Sequence, residues 1–212
     1  MNKTIEDKLR EGRSYRNIDA TSFELRAEND EMRVRGYATT FNQPYELWSM
    51  DGYTLTEQVD PHAFDGAEMR DVIMQYDHEG RVFARVSNGT LTLHPDEVGL
   101  FIEARLDGTE IGRQLYEEIA GGYTTKMSFG FVVAEDKIET TEDKENNTVH
   151  VLRTITKISR LYDVSAVSLP ANDATSISAR NFGEGVIAEI REEFARRDIQ
   201  RRKIKILAEI NK

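Results

Sequence analysis

The feature that most constrains the fold is a pair of long alternating stretches around one polar turn. Residues from about Thr125 to Ile138 and from about Val149 to Leu161, running on toward Val167, read as strands, and the polar, acidic stretch 139–147 reads as their loop. Period-two alternation puts successive side chains on opposite faces of a sheet. Phe129, Phe131 and Val133 therefore share a face that packs, while Ser128, Gly130 and Val132 share the other. Glycine weakens a strand interior, so Gly130 marks a place where another group, such as a substrate strand, comes close to the backbone.

The remaining segments follow the same logic. Phe23, Leu25 and Ala27, then Met32, Val34, Gly36 and Ala38, alternate on either side of a turn at Glu28–Glu31. Residues 42–54 read as a loop holding Pro44, Trp48 and Gly52. Asp60 before Pro61 predicts a short helix to about Glu68, with Asp as N-cap and Pro at the first helical position. Residues 71–107 read as successive strands, with turns at Asn88-Gly89 and Pro95-Asp96. Val72, Met74, Tyr76 and His78 share one face of the first of these. Thr109 caps a helix carrying Ile111, Leu115 and Ile119, which Gly121-Gly122 ends. Past Pro170 the pattern turns helical, with Val186, Ile190 and Phe194, then Ile204, Leu207 and Ile210.

These elements predict an α+β protein: a mostly antiparallel β-barrel or curved sheet with a few outer helices and a C-terminal helical tail. The division expected is a flexible N-terminal arm over 1–20, one domain over 21–180 and a charged helical tail over 181–212. The tail is basic between Arg191 and Lys205. Its plainer reading is a solvated helix face with interspersed acids, and its sharper one a docking or cleavable segment.

Composition removes several classes of function. A chain of 212 residues allows one large domain with tails. The formal net charge of -10 argues against general nucleic-acid binding. With no cysteine there is no disulfide scaffold, thiol nucleophile or cysteine zinc site. Met1–Lys8 lacks the apolar core of a signal peptide, and no window approaches the ~18 apolar residues of a membrane span. No histidine pair has i, i+4 spacing, no carboxylate run follows a calcium loop, and Gly121-Gly122 is a helix stop rather than a phosphate loop. No metal and no cofactor are expected.

What remains is a serine, a histidine and an acid, each in or at the end of a strand-like segment: Ser128, His78 and Asp163. These are the parts of an acyl-transfer site. Their chain order, His, Ser, Asp, matches neither trypsin-like, subtilisin-like nor α/β-hydrolase proteins. His78 has rivals in His62, in the first turn of the predicted helix, His94, before Pro95 at a turn, and His150, which opens the return strand. His78 alone ends an apolar strand, where a side chain is both fixed and accessible. Asp163 has a plain alternative role as partner of Arg160, Arg85 or a backbone amide. Asp77 rivals it, although neighbours on a regular strand face opposite sides.

The ordered set of segments Arg35–Asn42, Asp60–Phe64, Gln75–His78, Gly99–Ile102, Lys126–Phe131 and Val164–Asn172 resembles the prohead proteases of HK97-like tailed phages, over about residues 23–180. That family is similar to herpesvirus assemblins. The resemblance implies a serine endopeptidase domain over 21–180 that cleaves scaffold and major capsid protein precursors, with cleavage of its own ends. It implies His78 as general base, Ser128 as nucleophile and Asp163 as the acid that orients the ring. The expected place is the host cytoplasm, inside the immature capsid, or a bacterial cytoplasm for a prophage-encoded chain. No membrane and no specific nucleic acid are expected as partners, and a homo-oligomer is compatible with the reading. The competing reading is a catalytically inactive scaffold or assembly module that keeps the fold and binds capsid protein. A small-ester hydrolase is weaker, because the chain has no Gly-x-Ser-x-Gly elbow.

Assemblins use a second histidine, which makes His150 a rival third member. With the hairpin centred near residue 144, Ser128 faces residues near 160 and His150 faces residues near 138. His150 is then about ten residues along the strand, on the order of 30 Å away. Asp163 falls within a few residues of the point opposite Ser128, so the hairpin favours it. The Gly-Arg pair that follows the last triad member in assemblins has no match here.

Overall fold

The long hairpin organises the molecule. In the computed structural model, which describes residues 11–18, 23–28, 31–167 and 173–210, β10 (Lys126–Asp143) and β11 (Thr148–Val167) pair antiparallel from end to end. The ladder slips at several places between Gly130 and Asp136. Such bulges bend a strand and raise its local twist.

The other edge of β10 takes β1 (Ser14–Ile18), antiparallel. The other edge of β11 is shared by two strands in succession. β5 (Tyr53–Val59) runs parallel to its first half, and β6 (Ile73–Tyr76) runs parallel to residues 163–166. β4 (Tyr45–Met50) extends the sheet beyond β5, and β7 (Glu79–Arg85) beyond β6. A second sheet has the order β2 (Glu24–Glu28), β3 (Glu31–Thr40), β9 (Gly99–Arg105), β8 (Leu91–Pro95). Both sheets are open among the described residues, so the curved-sheet form of the expected α+β fold holds and the barrel form does not.

The main core lies between the sheets. Val34, Leu100 and Ile102 from one side meet Met74, Phe129, Phe131, Ile158 and Val164 from the other, with Leu115 and Ile119 of α1 (Glu110–Ala120). Thr109 caps α1 by accepting a hydrogen bond from the Gly112 amide at 3.1 Å. A smaller cluster joins Leu55 and Val151 to Val186 and Ile190 of α2 (Asp173–Ile210). The tail expected over 181–212 is thus helical through Ile210, and its first turns pack on the β5–β11 surface.

The structure changes four local expectations. The loop read over 139–147 narrows to residues 144–147, because β10 stays paired with β11 through Asp143. The loop read over 42–54 holds β4 and the start of β5, joined at Asp51 and Gly52 with φ of 54° and 79°. An Asp-Gly pair with positive φ at both positions is a hairpin turn, a signal present in the sequence. Residues 61–68 form successive turns rather than a helix. Asp60 does accept from the His62 amide at 2.8 Å, but the backbone then bonds outward to β11. Ala63 accepts from Ile158, Glu68 donates to Ser159 and accepts from Leu161. The segment runs beside β11 between β5 and β6: its local bonds are three i→i+3 turn bonds, from Ala63, Asp65 and Ala67, and bonds to β11 stand in place of a continuous helical ladder. Finally, the flexible arm expected over 1–20 does not include Ser14–Ile18, which form β1 with Tyr15 and Arg16 buried; residues 1–10 lie outside the described ones.

Candidate active site

Four neighbouring strands, β1, β10, β11 and β6, bring the candidate residues together. Ser128 lies on β10 opposite Ser165 of β11, and Asp163 lies opposite Gly130. Ser128 and Gly130 share a face of β10, so Asp163 projects over the glycine toward the serine. His78 arrives from the turn between β6 and β7. Tyr76 pairs with Glu79 across that turn, and its two central residues, Asp77 and His78, have φ of 48° and 60°. This matches a type I′ hairpin turn, which demands left-handed backbone at both positions. The sequence had placed His78 as the last residue of a strand; it is instead a turn residue. The Asp77 amide donates to the Ala166 carbonyl at 3.0 Å, which ties the turn to β11. Left-handed backbone is unfavourable for a non-glycine residue and persists where the surroundings hold it.

The three side chains form one hydrogen-bonded line. His78 Nδ1 is 2.5 Å from Asp163 Oδ1, and His78 Nε2 is 2.6 Å from Ser128 Oγ. A carboxylate at Nδ1 fixes the proton there, leaving Nε2 as an acceptor within reach of the Ser128 hydroxyl, whose one proton is also within reach of the Arg16 carbonyl oxygen. Ser165 Oγ donates to the same Asp163 oxygen at 2.9 Å. The Tyr15 ring tilts over the imidazole, centroids 4.3 Å apart. Burial pushes the Tyr15 phenol pKa up, and the charge of Asp163 adds to this.

The rivals fall elsewhere. His62, His94 and His150 are exposed. His150 pairs with Thr141, thirteen positions along β10 from Ser128 (141 minus 128), or about 43 Å at ~3.3 Å per residue. The observed register differs from the one expected, since Ser128 faces Ser165 rather than a residue near 160. The turn is centred later and bulges add to the offset, but the ranking of Asp163 over His150 is unaffected.

The role read for Gly130 also changes. A Cβ there would collide with Asp163 Oδ2 and come within 2.7 Å of Tyr15 Cε1. The group that approaches this backbone is thus the acid itself together with the Tyr15 ring.

The line is closed off. Ser128, His78 and Asp163 are 0%, 2% and 1% exposed. β1 lies along β10 directly over this place, with Asn17 opposite Ser128. The Arg16 carbonyl oxygen is 2.9 Å from Ser128 Oγ. Beside Asp163 a cleft of about 370 Å³ opens between Arg13, Gln75, Glu79, Arg160 and Tyr162. The Tyr162 ring there contacts the guanidinium groups of Arg13 and Arg160, 3.6 Å and 4.7 Å from its centroid.

On the opposite face of β1, Arg16 enters a buried ionic cluster. Its Nε and Nη2 donate to Glu57 Oε1 and Oε2 at 2.5 Å and 3.1 Å. Arg153 donates to Glu57 Oε2 at 2.7 Å and to Asp136 Oδ2 at 2.6 Å, and Tyr45 Oη donates to Glu57 Oε1 at 2.6 Å. Burial alone would raise the Glu57 pKa, but the Arg16 charge and hydrogen bonds, the Arg153 charge and the Tyr45 hydrogen bond outweigh it and hold it below the ordinary value.

Sequence reasoning missed Tyr15, Arg16, Glu57 and Ser165. Ser165 was within reach, two residues from Asp163 on the same strand face. Glu57, between Leu55 and Val59 on a buried face, marked a carboxylate that needs a buried cation.

No curated protein matches the chain. No solved structure matches it either. A family model described as caudovirus prohead serine protease matches residues 18–186, from the last residue of β1 into α2. That is well over half of the chain, and it takes in His78, Ser128 and Asp163 together with the strands that carry them: the chain belongs to the caudovirus prohead serine protease family.

Proposed function

We propose that the chain is a serine endopeptidase of the phage prohead, with Ser128 as nucleophile, His78 as general base and Asp163 as the acid that orients the ring. The observation that carries this reading is the line of contacts from Asp163 through His78 to Ser128, 2.5 Å and 2.6 Å long. His78 Nε2 takes the Ser128 proton as Oγ attacks the scissile carbonyl carbon. The protonated ring then gives that proton to the leaving amine, and the carbon–nitrogen bond breaks. Water attacks the resulting acyl-enzyme with His78 again as base, releasing the new carboxylate and restoring the serine. Asp163 keeps the Nδ1 proton in place and stabilises the imidazolium, while Ser165 and Gly130 fix the carboxylate.

The substrates are the major capsid protein precursor and the scaffold, inside the immature capsid in the host cytoplasm, and the chain also cuts itself. Enclosure supplies a high effective concentration, so modest intrinsic affinity suffices. The second reading, an inactive assembly module, draws on the burial of Ser128 under β1. Co-expression with the capsid precursor separates the two. The wild-type chain is expected to process the precursor and Ser128→Ala to leave it intact. Equal processing by both would end the serine-peptidase reading.

A further inference from the structure

Given the serine-peptidase reading just proposed, on which this inference rests, we infer that β1 is seated as a substrate strand. Arg16 then occupies the acyl side of the scissile bond, Glu57 is the carboxylate that selects it, and Arg16–Asn17 is the first bond the chain cuts. The substrate class is an extended peptide with arginine immediately before the cleaved bond.

The argument begins with position. An extended peptide binds a sheet protein most simply by adding a strand to a free edge. The edge of β10 that carries Ser128 is taken by β1, residue against residue from Ser14 opposite Phe131 to Ile18 opposite Met127. The backbone carbonyl that β1 brings to the Ser128 hydroxyl is that of Arg16, whose oxygen accepts a hydrogen bond from Oγ at 2.9 Å. For attack the hydroxyl proton turns to His78 Nε2 and Oγ closes on the carbon of that carbonyl.

The second observation is the seat of the Arg16 side chain. It is 3% exposed, and its fork meets both oxygens of Glu57, which is itself fully buried. Tyr45 and Arg153 hold the carboxylate, and the Phe131 ring lies 5.9 Å from the Arg16 guanidinium carbon. Without Arg16, the fully buried Glu57 carboxylate keeps a bond to Arg153, which it shares with the solvent-exposed Asp136, and loses the cation that meets both of its oxygens. The seat is then a buried carboxylate short of one cation. That favours a cation, and the two-pronged contact favours arginine over lysine, whose ammonium is a point charge.

Cleavage follows the steps already given. Ser128 Oγ bonds to the Arg16 carbon, the Arg16–Asn17 bond breaks, and the Asn17 nitrogen leaves with the proton that His78 held. Hydrolysis frees residues 1–16 with a new carboxylate on Arg16. Departure of that product opens the edge of β10 to the next peptide, and this links self-cleavage to the burial of Ser128.

The test is intact-mass and N-terminal analysis of the full chain, as wild type, Ser128→Ala, Arg16→Lys and Arg16→Ala, followed by cleavage in trans. The trans substrates are peptides matching residues 12–21 with Arg, Lys, Leu or Glu at the place of Arg16. The wild type should begin at Asn17 and Ser128→Ala should stay whole. Arg16→Lys should be slowed, and Arg16→Ala slowed by about thirtyfold or more, the loss expected when one partner of a buried charge pair is truncated. The peptide series should follow the order Arg, Lys, Leu, Glu. Should Arg16→Ala fail to fold, the lysine variant and the peptides carry the test. Ser128-dependent cutting confined to other bonds, or peptides with Leu or Glu cut as fast as Arg, would overturn the inference and leave the peptidase reading standing. No Ser128-dependent cutting of any substrate would overturn both.

Discussion

Gly130 and Asp163 face each other across β10 and β11, and the Asp163 carboxylate fills the space that a Cβ on residue 130 would need. The acid is positioned by an absence of side chain as much as by its bond to His78. Gly130→Ala should therefore push Asp163 away from the imidazole. A misplacement of about 1 Å can cost roughly a hundredfold in rate, while overpacking costs about 1–3 kcal/mol of stability. Turnover on the capsid precursor and urea unfolding of the variant measure both. Full activity in Gly130→Ala would mean that Asp163 does not orient His78.

Asp163→Asn should lower turnover by on the order of 10⁴-fold, since an amide retains the geometry and favours the wrong tautomer. His150→Ala should leave turnover unchanged within about twofold, as expected of an exposed side chain far from the site. Precursor processing rates for the two variants check this. The reverse ranking would remove Asp163 from its proposed role.

Glu57 links the buried cluster to acid stability. Its folded pKa lies below the ordinary value of 4.5 despite burial, because Arg16 and Arg153 hold the charged form. A depressed carboxylate pKa contributes stability that is fully present above the unfolded value and is lost as pH falls through the folded one. At pH 7 Glu57→Gln should cost about 3–5 kcal/mol, the usual result of removing one partner from a buried charge cluster. The gap between wild type and variant should narrow as pH drops below about 4.5. Denaturant midpoints between pH 3 and 7, measured with both chains in a Ser128→Ala background so that Arg16 stays in place, give the answer, and a gap independent of pH would show that Glu57 does not carry the linkage.

The junction between the β portion and the tail can be located by truncation. Val186, Ile187 and Ile190 are buried, two of them in the cluster with Leu55 and Val151. Burying a Val or Ile is worth about 1.5–3 kcal/mol. A chain ending at residue 180 should thus lose several kcal/mol relative to one ending at residue 200, which keeps this contact. Thermal unfolding of both compares them. Equal stability would place the boundary near residue 180, as the change of composition suggests.

The sequence was legible where a local signal and the tertiary outcome agree. The β10–β11 hairpin, α1 with its Thr109 cap, and the β2–β3 and β8–β9 pairings all follow from alternation, helical spacing and turn chemistry. The three candidate residues were legible as types in strand context and as part of a resemblance. Their meeting was not, because it depends on β6 running parallel to β11, and parallel pairing leaves no local mark. Residues 61–68 carry a sound helix start, yet their backbone groups bond to β11 instead. β1 was hidden in a charged stretch: five residues with one buried arginine look like an arm until the partner carboxylate, forty-one positions away, is in view.

The most direct measurement of the central claim is covalent labelling. The chain, purified from cells that also make the capsid precursor, is treated with a fluorophosphonate and digested, and the modified residue is located by mass spectrometry. A serine activated by His78 should carry the label at Ser128, and His78→Gln should abolish it while the protein stays folded. A processing-competent chain that remains unlabelled at Ser128, or one labelled equally with and without His78, would contradict the account.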